Sequence, residues 1–141
     1  MLVNPFDLPV HPIVVHFPLA MLTTAWVCLL CRYGLRDQRW GERARTFETI
    51  GVATLPLTII AGFVDTRGFE FLTDVRWDRP LVWHAIVSLG AAVVFAGHWW
   101  WQRTERPTTV RTAVTDLGWA TVGLWGLLLT GAIAGEMVYA A

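Results

Sequence analysis

Four long apolar stretches alternate with three short polar connectors along the 141 residues. A helix needs about 20 apolar residues to cross a hydrocarbon core of about 30 Å. The first stretch covers about 12–31, with His16 as its one ionisable side chain besides two thiols. The second covers about 47–65, is the least apolar at its ends and contains Pro56. The third and fourth cover about 81–101 and 117–140. The pattern predicts an all-α polytopic membrane protein: a single domain over 1–141, built as a four-transmembrane-helix bundle.

Composition supports that reading. Hydrophobic residues make up 55% of the chain and charged residues 16%, against about 25% charged in an ordinary soluble domain. Net charge is zero, so no basic field exists to hold nucleic acid. The nine tryptophans suit a protein that places indole rings at membrane–water boundaries. All eleven cations are arginine, and their placement predicts orientation. Arg32, Arg36, Arg39, Arg43 and Arg45 lie between spans one and two, and Arg103, Arg106 and Arg111 between spans three and four. Arg67, Arg76 and Arg79, between spans two and three, are outnumbered by Asp65, Glu70, Asp74 and Asp78. The positive-inside rule then sets both termini outside. The N-terminal segment has no basic region ahead of its apolar run, so the first span is expected to be retained.

Titratable side chains inside spans are functional candidates. His11, His16 and His84 fall at the expected outer end, and Asp65 and Glu136 close the spans that run back to it. His16 and His84, each about one turn inside parallel spans, are expected at similar depth. Two neutral imidazoles facing each other suit axial ligation of haem iron. In that reading His16 and His84 are the metal ligands, Asp65 orients an imidazole, and Arg67, Arg76 and Arg79 pair with haem propionates. Small residues near His84 (Ser88, Ala91) and His16 (Ala20, Thr23, Thr24) leave room for a macrocycle edge. The alternative is structural: each His caps the interface or bonds a carbonyl freed by Pro18 or Pro56. His98, fourteen residues after His84, reads either as an interfacial residue beside Trp99–Trp101 or as a ligand of a second haem. Cys28 and Cys31 read as inert buried thiols. Each half of the chain starts a span with His and ends one on Ala-Gly and an acid (Ala61, Gly62, Asp65; Ala134, Gly135, Glu136), a faint repeat of two helical hairpins. Gly131 and Gly135 form a GxxxG pair, expected to serve close packing inside the monomer before a homodimer face. Templates for soluble nucleophilic, nucleotide or metalloprotease chemistry are missing from the sequence.

The opening HPIVVHFPLA (His11 to Ala20), the Gly62–Asp65 close of the second span and the Ala134–Tyr139 close of the last resemble a bacterial family of four-helix membrane proteins of unknown function. The resemblance covers essentially the whole chain; Ala134 stands where the family tends to carry Gly. It implies a multi-pass protein of the inner membrane with periplasmic termini. Some relatives are fused to Rieske-type domains, which implies redox company. The expectation is a b-type cytochrome-like electron carrier or redox-complex subunit, more than a stand-alone enzyme. Its expected partners are the lipid bilayer, a quinone, and other membrane redox subunits or a second copy. A non-catalytic assembly subunit and a metal or proton conduit are the alternatives.

Overall fold

The computed structural model describes residues 10–65, 79–105 and 109–139. Its elements are α1 (Val10–Leu35), α2 (Gln38–Asp65), α3 (Pro80–Thr104) and α4 (Val110–Tyr139). All four are long and apolar enough to cross a membrane. Large apolar side chains such as Ile13, Leu57, Ile60, Val93, Val122 and Trp125 stay exposed on the outside of the bundle, as a lipid-facing surface requires. The helices run up and down in a square. α1 packs on α2 and α4, α3 packs on α2 and α4, and α1 and α3 stand diagonally opposite.

The first connector is shorter than the apolar pattern suggests. Only Arg36 and Asp37 separate α1 from α2, because the Arg, Glu and Ala residues that follow are good helix formers and extend α2 by more than two turns. The turn closes with Arg36 in the left-handed region at φ 55, and Asp37 caps α2 by accepting the Arg39 N–H at 2.9 Å. Pro80 starts α3 at a position where its missing N–H costs nothing. Thr109 caps α4, its hydroxyl accepting the Thr112 N–H at 3.2 Å.

The two hairpins repeat each other's contacts. Trp26 on α1 donates from Nε1 to Thr121 Oγ1 on α4 at 3.1 Å. Trp99 on α3 donates to Thr49 Oγ1 on α2 at 3.0 Å. Trp26 and Trp99 are 73 positions apart, Thr49 and Thr121 are 72 apart, and the same shifts relate other contacts. A Cβ on Gly51 would lie 2.7 Å from Leu22, and one on Gly123 would lie 2.7 Å from Phe95. An approximate twofold therefore runs along the bundle. The repeat expected from the sequence is present, with its second helices shifted by one residue: Gly62 corresponds to Ala134. Leu22 and Phe95, buried at 0% and 1% exposure, close the middle of the bundle against the two glycines. Gly131 and Gly135 do not serve packing inside the monomer as expected. A Cβ at either would meet nothing within 4 Å among the described residues.

Candidate functional site

The polar groups inside the bundle gather at two ends. At the end formed by the start of α1 and α3, His11 and His84 approach across the diagonal. Their ring centroids lie 6.1 Å apart and their planes meet at 83°. Each ring is held in the same way by the neighbouring helix of its own hairpin. His11 Nδ1 donates to the Thr58 carbonyl of α2 at 3.0 Å, and His84 Nδ1 donates to the Thr130 carbonyl of α4 at 3.2 Å. Because a carbonyl only accepts, each Nδ1 carries a proton, and in the neutral tautomer this leaves the lone pair on Nε2. The hydroxyls of Thr58 and Thr130 turn back to the Thr54 and Gly126 carbonyls of their own helices. Gly62 makes room for His11, since a Cβ there would lie 3.0 Å from its Nδ1.

The partner that the structure gives His84 is thus His11 and not His16. His16 is exposed on the outer side of α1 beside Ile13 and Phe17, and its Nδ1 bonds the Pro12 carbonyl of the same helix. Five residues turn a side chain through about 140° on a helix, so His11 and His16 cannot both face inward. Asp65 joins the site, but through the backbone: its Oδ2 accepts the His11 N–H at 2.7 Å, capping the start of α1. Arg79 is exposed at the N-cap of α3. Arg67 and Arg76 lie outside the described residues. Glu136 is exposed. Of the five groups expected on this rim, His11, His84 and Asp65 come together.

The opposite end holds a second buried polar group. His98 is 0% exposed, not an interfacial residue. Its Nδ1 lies 2.6 Å from Glu48 Oε1 on α2, and its Nε2 lies 2.9 Å from Asp116 Oδ1 on α4. With both ring nitrogens engaged by carboxylates, it has none to offer a second haem. Glu48 and Asp116 are 1% and 0% exposed. Gln102 donates to Asp116 Oδ1 at 3.0 Å, Tyr33 donates to Asp116 Oδ2 at 2.5 Å, and Arg32 Nη1 lies 3.5 Å from the same oxygen. Trp101 stacks on the imidazole at 6.0 Å. All four helices contribute. Sequence reasoning passed over both acids as span ends: Glu48 is the second residue of the stretch 47–65, and Asp116 immediately precedes the stretch 117–140. The usable signal was that an acid within a turn of a span's start demands a partner, and His98 was available at the same level.

The family described as Predicted membrane protein (DUF2231) matches residues 7–141. No match was found among curated proteins or among solved structures.

Proposed function

We propose that this chain, which belongs to the DUF2231 family of predicted membrane proteins, is a small b-type haem protein that carries single electrons, with His11 and His84 as the axial ligands. The observation that carries the reading is the matched tethering of the two rings. Both Nδ1–H groups are spent on helix carbonyls, which leaves Nε2 of the neutral ring as the nitrogen that iron takes from imidazole. The two rings lie 6.1 Å apart between centroids, and His11 and His84 would be the residues that hold the iron. Haem iron, when bound, supplies the one-electron chemistry. The chain's own groups orient the imidazoles. Thr58 and Thr130 fix the tautomer, Gly62 sets the position of the His11 ring, and Asp65 pins the start of α1.

The arginine distribution supports a bacterial inner-membrane setting with the His11/His84 end on the periplasmic side. Arg32, Arg36, Arg39, Arg43, Arg45, Arg103 and Arg111 all belong to the other end of the bundle. A quinone and other membrane redox subunits are the partners that fit a membrane-embedded electron carrier. A continuous proton or metal conduit fits poorly, because Leu22 and Phe95 fill the middle layer.

The second reading is a structural subunit in which His11 and His84 only tie helices together; the same two carbonyl bonds favour it. A reduced-minus-oxidised spectrum of the protein purified in detergent, after expression with haem supplied, separates the two. The cytochrome reading expects a sharp α band that is lost in His11→Ala and in His84→Ala and kept in His16→Ala. A folded, colourless wild-type protein overturns it in favour of the structural subunit.

A further inference from the structure

The approximate twofold gives an internal control for the buried cluster around His98. The shifts that relate the hairpins match His98 to Ala25, Glu48 to Ala120, Asp116 to Ala44 and Gln102 to Leu29. Those four counterparts are also buried, at 3% exposure or less. Leu29, Ala44 and Ala120 belong to an apolar layer shared with Cys28 and flanked by Trp26, Trp40 and Phe47. The same backbone arrangement is therefore closed by alanine and leucine on one side of the axis and by Glu, His, Asp and Gln on the other. Helix packing does not demand the charged set. Burying such groups in a membrane bundle is costly, so their presence on one side only calls for a use.

Counting hydrogen bonds shows what that use can be. Each N···O contact of His98 needs one proton between its atoms, so the Glu48–His98–Asp116 chain holds two protons at rest. Asp116 is fully engaged: Oδ1 accepts from Gln102 and meets His98, while Oδ2 accepts from Tyr33 and faces Arg32. Glu48 differs. Its Oε1 meets His98, but its Oε2 is buried with no hydrogen-bond partner among the described residues. It is the atom of the chain that can take a further proton without breaking an existing bond. Arg32, Glu48, His98 and Asp116 sum to zero charge when the imidazole holds both ring protons, so an extra proton makes the buried group cationic by one.

We propose that Glu48, His98 and Asp116 form a one-sided proton-storage site. It loads a proton at Glu48 Oε2 and exchanges with the aqueous phase at the end of the bundle where α1 joins α2 and α3 joins α4. The proton comes from water and forms one new O–H bond, at Glu48 Oε2; His98 keeps both ring protons, and its bonds to Glu48 Oε1 and Asp116 Oδ1 stay in place. Leu22 and Phe95 close the way to the His11/His84 end, which makes the site a store and not a channel. The groups facing it are Arg32 and Tyr33 from α1, Glu48 from α2, Gln102 and Trp101 from α3, and Asp116 from α4. The proposal does not depend on haem.

Infrared difference spectra of the full chain in lipid nanodiscs, taken against pH, test it. The expected result is a carbonyl band of a protonated buried carboxyl that appears on acidification, is lost in Glu48→Gln and persists in Glu136→Gln. The proposal is overturned if wild-type protein shows no such band while folded, or if the band survives in a folded Glu48→Gln. Should Glu48→Gln fail to fold, nitrogen NMR of His98 in the wild type decides. Ring signals that move with pH support a store; signals fixed over the whole folded range overturn it and leave a static ionic tie.

Discussion

His84 and His98 lie on nearly the same face of α3, about 21 Å apart along its axis, yet they meet opposite chemistry. His84 bonds one backbone carbonyl through Nδ1, and its second nitrogen has no hydrogen-bond partner among the described residues. His98 has a carboxylate on each nitrogen and is wholly buried. Residue type and helix position are the same. The difference comes from what the neighbouring helices bring to each level: carbonyls of Thr58 and Thr130 at one end, side chains of Glu48 and Asp116 at the other. A tethered neutral imidazole is available to a ligand. An imidazole saturated by two acids is available only to protons.

The comparison makes its largest claim about stability. His98→Ala removes the shared partner of two buried carboxylates and should cost about 3–5 kcal/mol, as breaking a buried ion pair does. His84→Ala deletes a single hydrogen bond to a carbonyl and should cost about 0.5–1.5 kcal/mol. Unfolding in mixed detergent, followed by circular dichroism, checks both; equal losses would erase the distinction between the ends. The layer that separates the ends should respond next. Gly51→Ala and Gly123→Ala each drive a Cβ into Leu22 or Phe95 and should each cost about 1–3 kcal/mol through overpacking. Similar losses at the two positions would uphold the twofold, and a large loss at one alone would break it. The smallest effect belongs to Thr58→Ala and Thr130→Ala. The carbonyl, not the hydroxyl, receives each imidazole, so both variants should lose about 1 kcal/mol or less. Nitrogen NMR should find His11 and His84 in the same tautomer as in the wild type.

Some of this was legible before any coordinates. The four spans follow from apolar runs whose length matches a bilayer, and His84 stands out as an imidazole inside such a run. The choice between His11 and His16 was not legible. α1 is apolar on nearly every side, so no periodic stripe marks its inner face, and the HPIVVHFP opening offers two histidines on different faces. Glu48 and Asp116 were hidden for a related reason. Glu48 lies one residue inside the stretch 47–65 and Asp116 one residue outside the stretch 117–140, so a hydropathy score treats both as span ends and not as buried groups. The first connector was overestimated by the same rule, because a charged segment that continues a helix looks like a loop to a hydropathy scale.

By itself, then, the sequence determined that the chain crosses a membrane as four helices, since water and hydrocarbon impose that on any runs this long and apolar. It also determined that the two halves echo one another. Only the packed bundle decided which imidazole meets His84, that Gly131 and Gly135 face outward, and that His98 lies between two acids. Those outcomes depend on how each helix is rotated about its own axis. That rotation is set by contacts between helices, such as Trp26 with Thr121 and Phe95 with Gly123, which no single apolar run records.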